Sequence, residues 1–560
     1  QAYGLSFTPG TWVESIQITK GAGSVVNGYE SISGQINTEL IKPINDIPFF
    51  LNAYGSTDSR FELNTHFNTQ LSQKWSSSLF VHGNTRVSKM DQNNDGFMDN
   101  PLAKQINVMN RYQYYDAEKG LVSFINFRYM NDKKQSGEVD FDPDRDRGAT
   151  NRWGSEINTQ RLDLATKVGY VFKDMPFQSI GFQNAFTLHN QNSYYGLNVY
   201  DIKQSSFYSN LIFNSIINNT KHKFATGINF AYDNYNEFVG LTDYGRVDNS
   251  VGAFFEYTYD NDDNFSLVLG GRVDNHNRLG TFVTPRLHLR YNPWEKSVLR
   301  FSAGRGKRAA NIFAENQSLF ASSRTFSILD TDGKIYGLNP EIAWNYGLSF
   351  NQKFQLFGRN GDAGFDLYRT DFQNQAVVDV MQSPQQVLFY NLKGKSYATS
   401  LQIEFNYELA NRFSLRSAYK YYDIQTQYLS GVYQRPLQAK HRFFGNLEYE
   451  TGRSESGSQW RFDATYNWLG KQQLPVTASN PAQDRLPEFS PSYNLINAQV
   501  THVFSSNFEI YVGGENIGNY KQSKAILGAE TPFGPTFDAS IVYAPIFGQM
   551  YYAGLRFKIK

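Results

Sequence analysis

Hydrophobic and polar residues alternate along most of this chain with a period of two, which is the pattern of β-strands. In the segment 397–410, for example, Leu401 and Ile403 share one face while Gln402 and Glu404 share the other. Such runs last roughly ten residues or more, the length that a tilted strand needs to cross a bilayer. The pattern therefore predicts membrane-spanning strands.

About 22 runs of this kind, recognised by their period of two, follow one another from residue 49 to the end of the chain. They are predicted at 49–56, 61–70, 76–88, 104–115, 120–131, 158–173, 179–193, 205–217, 221–236, 249–261, 264–276, 284–293, 296–304, 342–354, 362–373, 397–410, 412–426, 438–451, 457–470, 492–505, 507–517 and 548–560.

The connections between these runs alternate in length. Tight turns follow most strands of even number, whereas long loops follow several strands of odd number, as at 305–341, 471–491 and 518–547. Short turns at one rim and long loops at the other are typical of outer-membrane barrels. We therefore predict an all-β fold, a 22-stranded antiparallel transmembrane β-barrel. The alternative is a large soluble β-protein such as a propeller, but propeller strands are short and repeat in fours.

The composition fits a chain that crosses a membrane as strands rather than as helices. Phe, Tyr and Trp make up 16% of the 560 residues, yet the mean hydropathy is -0.52. No apolar run approaches the roughly 18 residues of a spanning helix. The formal net charge of +1 provides no basic field, so nucleic acid is not an expected partner. The absence of Cys excludes disulfides and thiolate chemistry, and it suits passage through an oxidising compartment.

Residues 1–47 do not follow the barrel pattern. The stretch 13–37, VESIQITKGAGSVVNGYESISGQIN, is rich in Gly and Ser and has an alternating run at each end. It resembles the end of the plug domain in TonB-dependent outer-membrane receptors. The positions that carry this resemblance are Val13, Glu14, Ile16, Ile18, Lys20, Gly21, Ser24, Gly28, Ile32, Gly34, Ile36 and Asn37. Further similarity lies at 285–308, 368–379 and 537–560, the last of which is similar to receptors of the Bacteroidetes group.

The resemblance implies two parts, the C-terminal remnant of a plug domain at 1–47 and a barrel at 48–560. A plug is also a physical expectation, because the lumen of 22 strands is too wide for side chains to fill. By resemblance we expect the remainder of the plug, and the segment that contacts TonB, to precede this chain. Under this interpretation no cofactor is required.

By the same resemblance, the protein is an active importer in the outer membrane of a Gram-negative bacterium. Its cargo is a scarce solute such as a ferric siderophore, cobalamin or another metal chelate, and TonB remodels the plug with energy from the proton gradient. Outer-membrane lipid and lipopolysaccharide are expected to surround the barrel. A surface lipoprotein is a further candidate partner.

Other roles remain open at this point. The barrel could serve as a structural or interaction subunit of an outer-membrane complex, or it could be a passive porin with a constricting N-terminal segment. Catalysis is not expected, because the eight His residues show no H-E-x-x-H spacing and no G-x-S-x-G elbow occurs. The protein is therefore predicted not to be an enzyme.

Aromatic and arginine side chains near the outer ends of the strands are the candidate ligand contacts. Aromatic rings can stack on a hydrophobic or chelate ligand, and arginine pairs with carboxylates. The competing interpretation is the aromatic girdle that barrels carry at both membrane interfaces. The candidates are Tyr194, Tyr195, Tyr200, Tyr244, Arg246, Arg308, Phe389 and Tyr390.

A candidate calcium loop lies in the long connection after the third predicted strand. Gly96 stands at position 6 of the pattern, where a turn is needed, but position 12 is Leu102 rather than a bidentate Glu. The alternative is a solvated loop whose Asn and Asp side chains stabilise turns. The candidate oxygen ligands, at positions 1, 3, 5 and 9, are Asp91, Asn93, Asp95 and Asp99.

Overall fold

The computed structural model of the protein describes residues 4–560, apart from the side chains of residues 5 and 6, so residues 1–3 of the predicted plug segment lie outside the described part. The strands are β1 Val13–Lys20, β2 Gly34–Leu40, β3 Phe49–Ser56, β4 Arg60–Gln70, β5 Trp75–Arg86, β6 Leu102–Asp116, β7 Leu121–Gly137, β8 Gly154–Phe172, β9 Met175–Tyr195, β10 Asn198–Ile217, β11 Asn219–Val239, β12 Thr242–Asp243, β13 Arg246–Asp260, β14 Phe265–His276 and β15 Gly280–Tyr291. They continue as β16 Ser297–Arg308, β17 Thr325–Ile328, β18 Glu341–Leu356, β19 Arg359–Asn374, β20 Ala376–Asp379, β21 Gln386–Asn391, β22 Ser396–Ala410, β23 Phe413–Tyr428, β24 Gly431–Gln434, β25 His441–Glu450, β26 Gln459–Leu469, β27 Tyr493–Val503, β28 Phe508–Glu515 and β29 Met550–Ile559.

Helical structure is confined to short pieces. A one-turn α-helix, α1, spans Pro143–Asp146, and 3-10 turns lie at Gly4–Phe7, Gly10–Trp12, Val25–Asn27, Ala314–Phe320 and Ala482–Asp484. Within residues 4–560, no helix has the length and apolar character needed to span a membrane.

Most of the strands form a closed antiparallel barrel in which β29 pairs with β3. The short β12 and β24 only lengthen outer hairpins, and 22 strands build the wall in the described part of the chain. The predicted fold class is therefore confirmed, and every predicted run coincides with one barrel strand. The strands β8 to β11 are longer than predicted, because their outer ends continue as paired hairpins. The predicted gap between 193 and 205, for example, shrinks to a two-residue tip between β9 and β10.

Opposite environments on the two faces of each strand explain the alternation. On β14, Leu269 and Val273 face outward and are exposed, whereas Arg272 and Asp274 face the lumen and are buried. Inside, the Arg272 Nε donates to the Asp274 Oδ2 over 2.7 Å. Apolar residues thus meet lipid while polar residues pair in the interior, as in other membrane barrels.

The N-terminal segment lies within the lumen. Its strands β1 and β2 form an antiparallel hairpin in which Ile18 stands opposite Ile36. Lys20, at the end of β1, forms an ion pair with Asp366 of the barrel wall. The first barrel strand, β3, begins at Phe49, next to the predicted boundary between residues 47 and 48.

The long outer loops fold together into one layer, which we call the cap. Five of its loops each contribute a buried aromatic residue to one hydrophobic cluster: Phe97, Trp153, Phe320, Phe389 and Phe537. The cap also contains a three-stranded sheet in which β17 pairs in parallel with β21, and β21 pairs with β20. The loops that form the cap are 87–101, 138–153, 309–340, 375–395, 470–492 and 516–549.

Candidate functional site

The candidate site is the part of the lumen between the plug segment and the cap. Strand β16 connects the two. Near its outer end, the backbone N–H of Lys307 donates to the carbonyl of Tyr29 in the plug over 3.3 Å. The adjacent Arg308 donates to both carboxylate oxygens of Glu315 in the cap, at 2.9 and 2.8 Å. Two consecutive residues of the wall therefore contact the plug and the cap.

Two of the predicted ligand contacts, Tyr200 and Arg246, belong to a buried polar network on the inner wall. The Tyr200 hydroxyl donates to Glu237 Oε1 over 2.8 Å, and Arg246 donates to Glu237 Oε2 over 3.2 Å. Tyr336 of the cap also donates to Glu237, and the Arg246 guanidinium lies over the Tyr336 ring. Burial, and then the Glu237 charge, raise the pKa of the Tyr336 hydroxyl, which keeps it a donor. The ring of Tyr244, in the hairpin between β12 and β13, packs against Phe313 and Tyr336 of the cap, and these contacts hold cap and wall together.

The remaining candidates are also engaged by protein partners. The Tyr194 hydroxyl donates to Glu156 over 2.9 Å, and the Tyr195 ring stacks on Phe320. Phe389 and Tyr390 lie in β21 of the cap sheet and not at the outer end of a barrel strand, which corrects their predicted placement. In this closed arrangement the eight candidates stabilise the cap and its junction with the wall. A direct ligand role for them stays a prediction.

Three polar side chains that the sequence did not single out are buried beneath the cap. His189 and Gln191 lie on the inward face of β9, and Gln317 lies in the cap; their exposed fractions are 2%, 0% and 6%. The Gln191 Nε2 donates to the Gln317 Oε1 over 3.1 Å. Both ring nitrogens of His189, Gln191 Oε1 and Gln317 Nε2 have no hydrogen-bond partner within the described residues. Because an unpaired buried polar atom costs about 1–3 kcal/mol, these atoms are suited to hydrogen-bond a guest.

The candidate calcium residues form one compact loop in which backbone N–H groups donate hydrogen bonds to the Asp91 and Asp99 carboxylates. Gly96 N donates to Asp91 over 2.9 Å, and Gln92 N donates to Asp99 over 2.8 Å. Across residues 4–560, no group of three or more His, Cys, Asp or Glu residues is arranged to hold a metal ion. This loop fits the turn interpretation, and calcium binding by Asp91, Asn93, Asp95 and Asp99 stays a prediction.

The stability of the same loop should depend on pH. Burial raises the pKa of the Asp99 carboxyl to about 6, and the charges of Asp91 and Asp95 add to the increase. A raised folded pKa means that the folded loop holds the proton more tightly than the unfolded chain does. The loop should therefore be most stable below about pH 4 and lose stability as the pH rises through 6. Asp99→Asn should reduce this dependence, and the part that is left comes from Asp95, whose pKa is also raised by burial.

Hydrogen-exchange protection of residues 91–99 at pH 4.5 and 7.5, corrected for intrinsic rates, tests this expectation. Asp140→Asn is the control, because the Asp140 side chain of the next loop is 77% exposed. Equal pH dependence in wild type and Asp99→Asn would show that another group controls the loop.

Comparisons with known proteins agree with this architecture. Residues 19–517 match the family model described as TonB dependent receptor-like, beta-barrel. No curated protein matches the chain by sequence. The solved structures similar to it include a mutant of the ferric enterobactin receptor PfeA from Pseudomonas aeruginosa, with 12% identity, a TM-score of 0.73 and coverage of 98% of this chain and 85% of that one. The siderophore receptor PirA from Acinetobacter baumannii gives 13% identity, a TM-score of 0.72 and coverage of 98% and 86%.

A third similar structure is FpvA of P. aeruginosa bound to a heterologous ferric pyoverdine, with 13% identity, a TM-score of 0.72 and coverage of 100% of this chain and 78% of that one. At such low identity these structures establish the fold alone, while the family match spans most of the chain. With its closed 22-stranded barrel and its lumenal plug segment, the chain belongs to the TonB-dependent receptors of the Gram-negative outer membrane.

Proposed function

We propose that this receptor imports a metal chelate, with a ferric siderophore as the leading class, and that TonB supplies the energy. The observation that carries the proposal is the contact of β16 with both the plug and the cap. Lys307 contacts the plug and Arg308 contacts the cap, so capture on the outer side and rearrangement of the plug are coupled through one strand. Coupling of this kind is what ligand-gated uptake requires.

The packed cap favours active uptake over a passive pore. Aromatic residues from five loops close the outer mouth with one hydrophobic core. A porin needs a permanently open path, whereas a gated receptor needs a closed state that a ligand can replace. The cap must therefore rearrange to admit cargo.

We propose that cargo reaches the polar cluster of His189, Gln191 and Gln317. The imidazole and the two amides carry no net charge when the ring is neutral, and they offer both donors and acceptors. A chelate that displays carboxylate, amide or hydroxyl oxygens around its metal can pair with such groups. The solved relatives named above include receptors for ferric enterobactin and ferric pyoverdine, which supports this ligand class.

Uptake by cells tests the proposal. A strain lacking this receptor would be complemented with wild type or variants, and accumulation of iron-55 as catecholate, hydroxamate and mixed-ligand chelates, and of cobalt-57 cobalamin, would be measured. Wild type should accumulate one class of chelate, and a proton uncoupler should abolish the uptake. His189→Ala combined with Gln191→Ala should lower uptake roughly tenfold through lost hydrogen bonds. His502→Ala, on β27, is the matched control and should behave as wild type.

Different failures point to different functions. Accumulation that persists with the uncoupler would indicate a passive pore. If no chelate accumulates and the purified barrel carries stoichiometric protein partners, the structural or interaction role replaces import.

A further inference from the structure

An apolar groove crosses the lipid-facing surface of strands β13 to β16 and β18. Its volume is about 610 Å³. Its sides are formed by the bulky side chains of Phe255, Leu269 and Trp344. Its floor is formed by the small residues Gly271, Pro285 and Ala303.

The groove follows from small residues that stand next to one another on the outward face. Gly271 lies opposite Phe255 on one side and Pro285 on the other. A Cβ on Gly271 would meet nothing within 4 Å, so space continues outward from the backbone. The preceding Gly270 differs, because its Cβ would lie 2.9 Å from Val25 of the plug. Contact with the plug therefore accounts for the glycine at position 270. It does not account for Gly271, which faces outward.

An arginine stands at the outer end of the groove. Arg305 shares the outward face of β16 with Ala303 and lies opposite Trp344. It follows the first residue of β16, Ser297, by eight positions. Eight residues with a rise of about 3.3 Å each, along a strand with the usual tilt, place Arg305 roughly 20 Å above the periplasmic turn. This height is close to the outer edge of the apolar band.

The charge of Arg305 has no carboxylate partner. Its guanidinium donates to the carbonyl of Val283 over 3.2 Å and to Gln373 over 3.4 Å, both neutral. The nearby carboxylates of Asp371 and Glu341 pair with Arg369 and Arg308 instead, and within residues 4–560 no ion pair joins Arg305 to Asp or Glu. An unpaired arginine beside lipid is suited to a phosphate group, which a guanidinium binds with two parallel hydrogen bonds.

We propose that this surface binds one lipopolysaccharide molecule of the outer leaflet, with an acyl chain in the groove and a phosphate on Arg305. The apolar groove matches the chain, and the arginine matches the phosphate at the depth where the outer-leaflet headgroups begin. The proposal depends on the membrane location of the barrel and is independent of the cargo.

Native mass spectrometry of the purified receptor with added lipid A, or with phosphatidylglycerol, tests the site. Wild type should retain one lipid A and little phosphatidylglycerol. Gly271→Phe fills the groove and should weaken lipid A retention roughly tenfold, because methylene groups lose their burial. Arg305→Gln should weaken it by a similar factor through loss of the phosphate contact. Val512→Phe is the matched control, since Val512 is lipid-facing elsewhere and 55% exposed.

The folded state of each variant is checked by its heat-dependent mobility in gels, and Ala303→Leu replaces Gly271→Phe if the latter does not fold. Equal lipid A retention by wild type and the groove-filling variant overturns the site. Equal retention of phosphatidylglycerol and lipid A by wild type overturns the assignment to lipopolysaccharide.

Discussion

Replacing Arg324 with alanine should open the cap while leaving the barrel folded. Arg324 and Asp538 are an ion pair between two loops of the cap, with a distance of 2.8 Å from Nε to Oδ2, and their side chains are only 1% and 4% exposed. Arg324 also donates to the carbonyl of Ser383 in a third loop over 3.0 Å. Its removal leaves a buried carboxylate without a counter-charge, which typically costs about 3–5 kcal/mol.

Hydrogen exchange of the cap measures this effect directly. A loss of about 3 kcal/mol should accelerate exchange in residues 320–328 and 536–541 by roughly 100-fold, with the barrel strands unchanged. Arg152→Ala is the matched control, because Arg152 pairs with Glu138 in another outer loop but is 46% exposed, so the expected loss is about 0–1 kcal/mol.

A double variant separates the lost charge pair from general damage. Arg324→Leu combined with Asp538→Leu removes both charges, and it should recover most of the protection since no buried charge is left alone. Protection that stays as low as in the single variant would show that the carbonyl contacts of Arg324, and not the ion pair, hold the cap.

The barrel could be predicted from the sequence because each strand carries its own signal. A lipid-facing side and a polar lumen impose a period of two on every strand, and at the periplasmic rim short local turns join neighbouring strands. The run predicted at 397–410, for example, is the strand β22 at Ser396–Ala410. The alternation therefore identifies both the strand and its two faces without knowledge of its partners.

The cap could not be predicted in the same way. The strand β17 at Thr325–Ile328 has four residues, and its partner β21 at Gln386–Asn391 lies far along the chain. Four residues are too few for a recognisable period, and no turn joins the pair. The available signal was the presence of apolar residues such as Phe313 and Phe320 in a loop that faces water.

The candidate site, like the rest of the fold, could be predicted only in part from the sequence. Aromatic and arginine residues at the outer rim were predicted as ligand contacts, which stays a prediction, and the sequence does not show that Tyr200 and Tyr336 both donate to Glu237. Alternation along β9 is sufficient to place His189 and Gln191 on the inward face. Their burial depends on the cap above them, which only the tertiary structure reveals.

Replacing Arg286 with alanine should release the plug segment from the barrel wall. Arg286 lies on β15, is 4% exposed, and its guanidinium faces the turn between β1 and β2. Its donors reach four plug carbonyls, those of Gly23 at 2.7 Å, Ser24 at 2.6 Å, Gly28 at 3.1 Å and Ser31 at 3.4 Å. A single side chain thus contacts carbonyls along most of the turn, while Arg272 and Asn210 bind the carbonyls of Val25 and Val26.

The expected loss is large because hydrogen bonds from a charged donor contribute about 1.5–3 kcal/mol each. The bond to Gly23 is buried and the other three are partly buried. Since such contacts are not additive, we expect a total of about 3 kcal/mol or more. Arg286→Lys should recover little, because an ammonium group cannot reach four acceptors in a fixed fork.

Exchange protection of residues 23–31 and ion current across planar bilayers measure the release. Arg286→Ala should expose these amides and produce openings of the channel, whereas Arg300→Ala should change neither. Arg300 is the matched control, since it lies on the neighbouring β16 on the same face as Gly304 but is exposed. If the plug amides of Arg286→Ala stay as protected as in wild type, the remaining contacts anchor the segment instead: Lys20 with Asp366, Ser24 with Glu256, Arg272 with Val25 and Asn210 with Val26.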